Sequence, residues 1–587
     1  MRGADLLVHM LTAYGVDVIF GVPGDTNVPL YDALRQAQGQ LRHVMARDER
    51  SAGYMADAYA RLTNRPGIVE VPSGAGATYV LPCVAEANGS SVPLIVITSD
   101  TPVASEGRGV ITELDCARLF EPVAKASWLV KSAKRLPDTV RRAFRVATGG
   151  KPGVVHLAVP EDVLHEEVEP ATVSLHVESH HRSFPAYRPS AEAAELDSLI
   201  AMIGQARRPL FVFGGGAKRS QAGAALLALA ERLGMPIVNT ITGQSSLPDG
   251  HRLAIGVTGD NGFHPHANRA VAEADLLIYW GCRLGSVVSV GWTFPPPDHE
   301  RRIVQIDIDP EIIGNNSANA LSINGDVRAV AEGLAAALPD TLAVDPQWLE
   351  RLNGWRAQFW RDAQDELRDD SLPLKPQRVV QALNKRLDGA FSILSDPGTP
   401  TPHMTRLLRL DDPHTDFIIP RAYGGLGYAL PAVVGAWLAR PQARPLALFG
   451  DGSFGMNCGE LETLVRLGVP AILIHFNNGC FGWIKALQRL HGHNATYSVD
   501  FLSLDAARIA EAFGLKAWRV TDAAELTVAL DGALAFDGPG FIDIVVESIA
   551  DVAPPVFSWL RRLGEDPLAQ PHARNVELAG SSSKPTP

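Results

Sequence analysis

Residues 446–478 read LALFGDGSFGMNCGELETLVRLGVPAILIHFNN, and this pattern predicts two strands joined by a helix. The first apolar run ends at Asp451, between two glycines, and the second ends at the pair Asn477 and Asn478. Continuous apolar strands that alternate with helices are typical of parallel sheets covered on both faces. Because parallel strands end at the same edge of a sheet, we expect Asp451 and Asn478 to lie close together there.

The residue types at this edge favour a magnesium ion and a bound phosphate group. Gly450 and Gly452 allow a tight turn in which the backbone comes close to an anion. Asp451 and Asn478 offer hard oxygen ligands, and magnesium usually completes its octahedral shell with phosphate oxygens and water. A dinucleotide fingerprint is the alternative, because Gly450, Gly452 and Gly455 fit GxGxxG. The acidic residue that such a site needs at the end of the next strand is absent.

The alternation of strands and helices continues along the chain. Strand-like runs include VDVIFGV, GIVEVPS, PLIVITS, GVVHLAV, PLFVFGGG, PIVNTI, ADLLIYWG, RIVQIDI, FSILSD, PLALFGD, PAILIHFN and FIDIVVE. Polar, proline-containing stretches near 168–190 and 340–376 interrupt the pattern. The sequence therefore predicts an α/β protein of three doubly wound parallel-sheet domains, at 1–170, 190–340 and 375–552. In both the first and the third domain a strand is followed by a glycine-containing turn and a helix, which suggests a duplicated fold.

Composition excludes several classes of protein. The chain has 587 residues, 46% of them apolar, and its net charge of −12 argues against a nucleic-acid binder. Its five cysteines are scattered without a CxxC pair, so we expect no zinc site or disulfide framework, and a reducing compartment such as the cytoplasm. The N-terminal residues predict an amphipathic helix and a strand rather than a signal peptide. Without an 18-residue apolar run, no membrane span is expected.

The spacing of GDG, 24 further residues and NN resembles the signature of thiamine diphosphate enzymes. In that family the metal ligands are the Asp of GDG, the second Asn and a backbone carbonyl two residues later, which implies Asp451, Asn478 and Cys480. SDPGTPTPHM (395–404) and RAYGGLGYAL (421–430) are similar to other cofactor-binding loops of the family, and Leu426 falls where an apolar residue bends the cofactor. The further cofactor contacts that the resemblance implies are Gly398, Thr399, Thr401, Gly425, Ser453, Phe481 and Gly482.

The first domain resembles the pyrimidine-binding domain of the acetolactate synthase group along its whole length. The resemblance is carried by GVPGDTNVPLYDALRQ (21–36) and VMARDERSAGYMADAYARL (44–62). It implies that Glu49 is the glutamate that activates the cofactor by hydrogen-bonding to its pyrimidine ring, with Asp48 as the alternative. Such a carboxyl works best when burial raises its pKa. Since Glu49 and Asp451 lie in different domains, the resemblance implies a site shared between subunits, hence at least a homodimer and commonly a homotetramer.

The middle domain resembles that of the same superfamily, which includes benzoylformate decarboxylase and has the domain arrangement of pyruvate oxidase. FVFGGGAKRS (211–220) and VQIDIDPEIIGNN (304–316) carry the resemblance. Relatives bind FAD, ADP or nothing there. Candidate contacts are Gly214, Gly215 and Gly216 for a phosphate and Asp307 or Asp309 for a ribose.

Three departures from relatives bear on the substrate. Pro72 stands where benzoylformate decarboxylase has a histidine. Lys485 stands where pyruvate decarboxylase has a glutamate, and it could hold a substrate carboxylate or donate a proton. Ile111-Thr112-Glu113 aligns with Phe-Gln-Glu of acetolactate synthase, so the glutamine is missing. The candidate residues at the reacting centre are Glu49, Glu113, Trp483, Ile484 and Lys485.

The leading hypothesis is therefore a thiamine diphosphate- and magnesium-dependent lyase or carboligase that acts on a short 2-oxo acid or a 2-hydroxyacyl-CoA. The C-terminal segment 553–587 is predicted to contain a lid, in which Arg561 and Arg562 would suit CoA phosphates, and to end in a disordered tail. A 2-hydroxyacyl-CoA lyase or oxalyl-CoA decarboxylase, an FAD-dependent oxidase of the pyruvate oxidase type, and a non-catalytic cofactor-binding paralogue remain alternatives.

Overall fold

A computed structural model describes residues 1–492, 494–568 and 576–578, which form three six-stranded parallel sheets flanked by helices. The α/β prediction of three parallel-sheet domains is confirmed. All twelve predicted apolar runs form strands. The predicted disordered tail, residues 579–587, lies outside the described part of the chain.

The first sheet lies within residues 1–170 and has the strand order β2-β1-β3-β4-β6-β5. Its strands are β1 (Val18–Gly21), β2 (Arg42–Met45), β3 (Gly67–Val71), β4 (Leu94–Asp100), β5 (Ala126–Leu129) and β6 (Val154–Pro160). Its helices are α1 (Gly3–Ala13), α2 (Val28–Gln36), α3 (Glu49–Thr63), α4 (Ala75–Tyr79), α5 (Leu81–Gly89), α6 (Cys116–Phe120), α7 (Leu136–Thr148) and α8 (Glu161–His165). The central strands β3, β4 and β6 are buried throughout, as expected for apolar strands covered on both faces.

The middle sheet has the order β12-β11-β10-β7-β8-β9, which read from its other edge is the 3-2-1-4-5-6 order of dinucleotide-binding folds. Its strands are β7 (Pro209–Phe213), β8 (Ile237–Thr240), β9 (Ala254–Thr258), β10 (Leu276–Trp280), β11 (Arg302–Asp307) and β12 (Leu321–Asn324). Its helices and those of the next connection are α9 (Ala193–Gln205), α10 (Gly215–Arg219), α11 (Gly223–Leu233), α12 (Pro265–Glu273), α13 (Val327–Ala337), α14 (Pro346–Asp362) and α15 (Gln364–Leu367).

The third sheet has the order β14-β13-β15-β16-β18-β17, which repeats the topology of the first sheet strand for strand. Its strands are β13 (Phe391–Ser395), β14 (Asp416–Ile418), β15 (Arg444–Gly450), β16 (Ile472–Asn477), β17 (Lys516–Val520) and β18 (Gly540–Val545). The remaining helices are α16 (Pro376–Asn384), α17 (Pro400–Leu407), α18 (Ala429–Ala439), α19 (Asp451–Asn457), α20 (Glu460–Leu467), α21 (Gly482–His491), α22 (Ala506–Ala512), α23 (Ala523–Leu534) and α24 (Phe557–Arg562). A short antiparallel pair, β19 (Val552–Ala553) and β20 (Val576–Glu577), follows them.

The three sheets are distributed over two compact units. One unit contains residues 1–187, 420–445 and 455–471, and the other contains 188–419, 446–454 and the chain from 472 onwards. In the first unit α3 packs against α18 so closely that a Cβ at Gly435 would lie 1.9 Å from the Met55 carbonyl oxygen. The glycine in α18 is therefore required for this contact.

The two predicted connections differ in structure. Between 168 and 190 the chain forms only the 3₁₀ turns Pro170–Thr172 and Ser179–Arg182, whereas 340–376 contains the predicted helix, α14. No helix in the described part of the chain is long and apolar enough to cross a membrane.

Candidate active site

Asp451, Asn478 and Cys480 meet at one edge of the third sheet. β15 and β16 pair in parallel with Gly450 opposite Phe476, so the residues that follow both strands emerge side by side. The backbone N–H of Asn478 donates a 3.0 Å hydrogen bond to Oδ2 of Asp451. The structure therefore brings together the three residues predicted to hold a metal.

The side-chain amide of Asn478 suggests what this cluster can bind. Its Oδ1 lies 3.2 Å from Asp451 Oδ2 and 3.2 Å from the carbonyl oxygen of Cys480, while its Nδ2 lies 3.3 Å from Thr399 Oγ1. Turning the amide over would place its nitrogen between the two oxygens as a hydrogen-bond donor. With Oδ1 in that place, three hard oxygen atoms converge, which is the donor set that a magnesium ion prefers. The residues present therefore fit a divalent cation.

A second layer of polar residues supports Asp451. His475 of β16 lies with Nε2 3.6 Å from Asp451 Oδ1, and its Nδ1 lies 2.9 Å from Asp543 Oδ1. His475 and Asp543 are register partners on β16 and β18. Burial raises the pKa of Asp451, while His475 and the N–H of Asn478 oppose that rise. The sequence reading missed this histidine and aspartate, although both are polar residues inside otherwise apolar strands.

The predicted phosphate loop after β13 reaches the same place. Thr399 contacts the Asn478 amide, and a Cβ at Gly482 would lie 3.0 Å from Thr399 Oγ1 and 3.3 Å from Asn478 Nδ2. Gly398 has φ +120° with open space around it. Thr401 instead donates its hydroxyl to the carbonyl oxygen of Asp396 at 2.6 Å, so it stabilises its own loop.

The other predicted cofactor contacts are placed as follows. Gly450 and Gly452 flank Asp451 in the sequence, and the buried Ser453 follows Gly452. Phe481 stacks edge-on against Phe501 at 4.6 Å. Gly425 and Leu426 belong to the first unit, where a Cβ at Gly425 would lie 2.7 Å from the Tyr54 hydroxyl.

Glu49 is the first residue of α3, in the first unit. The alternative residue, Asp48, is the N-cap of α3 and accepts hydrogen bonds from the N–H groups of Arg50 at 2.9 Å and Ser51 at 3.3 Å. Its carboxylate is therefore engaged in capping the helix. Burial raises the pKa of Glu49, and the negative charges of Asp48 and Glu70 raise it further. A half-buried carboxyl that tends to keep its proton is suited to general acid–base work.

Glu113 forms hydrogen bonds within its own loop. Glu113 accepts hydrogen bonds from the N–H groups of Gly107, Gly109 (2.9 Å) and Val110 (3.1 Å), and these hold its pKa below the usual value. Its carboxylate thus fixes its own loop. Thr112 has φ +67°, which is rare for a β-branched residue, and its hydroxyl lies 2.8 Å from Ser73 Oγ.

The candidate substrate residues of α21 are partly engaged with other side chains. Lys485 Nζ donates to Asp500 Oδ1 at 2.6 Å. Trp483 packs on Trp559 of α24 with ring centroids 4.5 Å apart, while Ile484 is 48% exposed. Ile484 is therefore more accessible than its neighbour Trp483.

The C-terminal segment is held by both the middle and the third domain. Asp260 accepts hydrogen bonds from the backbone N–H (2.7 Å) and the hydroxyl (3.1 Å) of Ser558 at the start of α24. Arg561 Nη1 lies 3.4 Å from Thr293 Oγ1, and Arg562 Nε donates to the Leu490 carbonyl oxygen at 3.0 Å. Both arginines therefore have partners within the protein.

The glycines of the middle domain lie at the point where its strand order reverses. A Cβ at Gly214 would lie 2.2 Å from the carbonyl oxygen of Gly281, and one at Gly216 would lie 2.6 Å from Gly281 Cα. Asp307 and Asp309 each accept a hydrogen bond from a backbone N–H two residues later, both at 3.1 Å. These glycines therefore allow two turns of the protein itself to approach each other.

Comparisons with known proteins agree with this arrangement. Residues 1–119, 196–334 and 396–544 match the N-terminal TPP binding domain, the central domain and the C-terminal TPP binding domain of thiamine pyrophosphate enzymes. A probable acetolactate synthase large subunit from Methanocaldococcus jannaschii is 33% identical over 563 residues, which cover 93% of this chain and 92% of that protein.

Two further relatives match over a similar length. The acetolactate synthase of Arthrospira platensis is 31% identical, covering 95% of this chain and 96% of its own. The acetolactate synthase large subunit of Corynebacterium glutamicum is also 31% identical, and the match covers 95% of this chain and 88% of that protein. The chain belongs to the thiamine pyrophosphate enzyme family and is a thiamine pyrophosphate-dependent enzyme of its acetolactate synthase-like group.

Proposed function

We propose that this enzyme binds thiamine diphosphate through a magnesium ion and transfers the acyl part of a short 2-oxo acid to a second carbonyl compound, with loss of carbon dioxide. The convergence of the Asp451 carboxylate, the Asn478 side-chain amide and the Cys480 carbonyl oxygen is the observation that carries the proposal. The relatives named as acetolactate synthases support the 2-oxo acid as substrate class.

The chain's own residues would divide the work as follows. Asp451, Asn478 and the Cys480 carbonyl would hold the metal and, through it, the diphosphate. When bound, the cofactor supplies the nucleophilic carbon and the electron sink for the reaction. Glu49 would hold a proton against the pyrimidine ring nitrogen, a role that its raised pKa supports. Leu426 would support the bent shape of the cofactor.

We propose that Lys485 binds the carboxylate of a 2-oxo acid, which replaces Asp500 as the ion-pair partner of the lysine. Its ammonium group is already fixed at 2.6 Å from Asp500 Oδ1, so less side-chain freedom is lost on binding. Ile484, with Trp483 beside it, would cover a short aliphatic acyl group. Glu113 would act indirectly, by holding the loop that carries Ile111.

The alternatives have less structural support. Arg561 and Arg562 already bond to Thr293 and to the Leu490 carbonyl, which weakens the case for CoA phosphates. The strand order of the middle sheet favours a nucleotide such as FAD or ADP there, so an FAD-dependent oxidase is kept as a second candidate. A flavin absorbance band in the purified protein would support it. Retention of Glu49, Asp451 and Asn478 argues against a non-catalytic paralogue.

We further propose that the active enzyme is a homodimer or homotetramer, as the resemblance of its first domain to the acetolactate synthase group implies. The five cysteines are free thiols, which supports a reducing compartment such as the cytoplasm.

A substrate screen by mass spectrometry tests the proposal. Pyruvate, glyoxylate, oxalyl-CoA and short 2-hydroxyacyl-CoA esters are offered with thiamine diphosphate and magnesium, and Glu49→Gln serves as the inactive control. We expect carbon dioxide and a ligation product from a 2-oxo acid, only with both cofactors present. Turnover restricted to CoA esters, or turnover in the Glu49→Gln variant, would contradict it.

A further inference from the structure

A second carboxylate is buried in the first unit close to Glu49. Glu70 lies in β3, in the otherwise apolar run GIVEV, and its side chain has no exposed surface. Three side chains surround its carboxylate. Tyr31 donates its hydroxyl to Oε1 at 2.5 Å, Asn27 Nδ2 donates to Oε2 at 2.8 Å, and His43 Nε2 lies 3.1 Å from Oε1.

The backbone around Glu70 is built to accommodate this carboxylate. A Cβ at Gly21, in the neighbouring strand β1, would lie 2.1 Å from Glu70 Oε1, so only glycine leaves room there. In the described part of the chain, His43 is the one basic side chain within ion-pair distance of Glu70. Burying a carboxylate is costly unless hydrogen bonds compensate, and here the Tyr31 hydroxyl and the Asn27 amide donate them.

Glu70 and Glu49 are joined through a short, tightly packed segment. A Cβ at Gly76 would lie 2.7 Å from the ring of Pro72, which is two residues after Glu70. The same Cβ would lie 3.1 Å from Glu49 Oε1. The charges of Glu70 and Glu49 both raise the pKa of Tyr31, after burial itself. Glu70 in turn raises the pKa of Glu49. Glu70 and Glu49 therefore lie in the same compact unit, and the segment that follows Glu70 packs beside the Glu49 carboxyl.

We propose that Glu70 is a positioning residue for Glu49, and that its buried negative charge keeps the proton on Glu49 where the pyrimidine ring of the cofactor needs it. This inference rests on the proposed function of Glu49. A like charge disfavours ionisation of a neighbouring carboxyl, and the effect is strongest where water is excluded. Tyr31 and Asn27 both donate hydrogen bonds to Glu70, and donors of this kind favour the carboxylate form of a buried acid.

Of the other charged groups near Glu49, Asp48 is more exposed than Glu70, whereas Glu460 is buried as Glu70 is. Asp48 acts on Glu49 more strongly than Glu70 does, but its side chain is 39% exposed and pairs with Arg50 at 3.5 Å. Glu460 of α20 accepts a hydrogen bond from the backbone N–H of Arg47 at 2.9 Å. Salt screens exposed charges and leaves buried ones largely unaffected, so salt separates the effect of Asp48 from that of Glu70.

The inference is tested by titrating the Glu49 carboxyl in the cofactor-free protein. Carbon-13 NMR of glutamate-labelled protein follows the carboxyl signals, and the signal lost in Glu49→Gln identifies Glu49. In Glu70→Gln we expect Glu49 to titrate at lower pH, both at low salt and at about 1 M salt. The matched control, Asp48→Asn, keeps a good N-cap, and its shift should shrink at high salt. An unchanged Glu49 titration in Glu70→Gln would overturn the inference.

The pH dependence of turnover gives a second readout. In Glu70→Gln the alkaline limb of kcat/KM should move to lower pH by the same amount, because protonated Glu49 is lost earlier. Should Glu70→Gln fold poorly, the double variant Glu70→Leu/Tyr31→Phe removes the carboxyl together with the hydroxyl that donates its shortest hydrogen bond, and it should give the same displacement. Failure of every substrate in the screen would refute the proposed function, and the carboxyl titration would still decide the role of Glu70.

Discussion

The backbone N–H of Asn478 donates a 3.0 Å hydrogen bond to Oδ2 of Asp451, which joins the ends of β15 and β16. This bond fixes the two predicted metal ligands relative to each other through the backbone. The geometry of the candidate metal site therefore follows from the pairing of two parallel strands, and the loops that follow add Cys480 and Thr399 to it.

Replacing Asp451 should abolish metal-dependent binding of the cofactor. In Asp451→Ala the oxygen cluster loses its only charged member, so we expect roughly a 100-fold weaker Kd for thiamine diphosphate in the presence of magnesium. Titration calorimetry measures this. Asp531→Asn, which changes an exposed aspartate on α23 paired with Arg386, is the control and should bind as the wild type does. Equal Kd values for both variants would exclude the proposed metal site.

His475 should tune the metal site without contacting the metal. In His475→Gln the support between Asp543 and Asp451 is lost, and we expect magnesium to bind about 10- to 100-fold more weakly while Asp451 remains in place. The magnesium concentration that half-saturates cofactor binding is the measurement. Asp543→Asn should shift it in the same direction, and a shift in only one of the two variants would contradict a shared role.

A side chain at position 482 should disturb the phosphate loop. In Gly482→Ala the new methyl group would meet Thr399 Oγ1 at 3.0 Å and the Asn478 amide at 3.3 Å, so cofactor affinity should fall. Gly354→Ala is the matched control, since α14 leaves open space around Gly354 and the exchange should stabilise the helix by about 0.5–1 kcal/mol. Thermal unfolding and cofactor titration distinguish the two effects, and undiminished affinity in Gly482→Ala would count against the loop as a binding element.

Glu49 should reduce stability at neutral pH. Burial raises its pKa in the folded protein, with Asp48 and Glu70 adding to the rise, whereas in the unfolded chain the carboxyl ionises near its ordinary value of 4.5. The proton on Glu49 therefore contributes stability at low pH, and this contribution is lost as the pH rises through the folded value. Glu49→Gln should equal the wild type in Tm near pH 4 and exceed it near pH 7. A constant difference across this range would contradict the raised pKa.

The sequence predicted the interior of each sheet but none of the edges. All twelve predicted runs are inner strands, whereas β2, β5, β9, β12, β14 and β17, the two outer strands of each sheet, were not recognised. An edge strand has a neighbour on one side only and needs no continuous apolar run. β2 (RHVM) and β17 (KAWRV), for example, contain charged residues and are only partly buried.

The candidate site shows a similar limit. Asp451 and Asn478 were predictable because each follows an apolar strand directly. The support from His475 and Asp543 depends on which strands are neighbours, and the sequence alone does not give the pairing of β16 with β18. The engagement of Glu113 with its own loop and of Thr401 with Asp396 likewise depends on loop conformation, which residue type does not determine.

The exchange of the reactive ring proton of bound thiamine diphosphate with deuterium tests the central claim most directly, because it reports cofactor activation before any substrate reacts. Rapid mixing into deuterated buffer followed by acid quench and proton NMR measures the rate. We expect fast exchange in the wild type and a rate roughly 100- to 10,000-fold slower in Glu49→Gln, at saturating cofactor and magnesium. Exchange in Glu49→Gln at the wild-type rate would contradict the assignment of Glu49 as the activating residue.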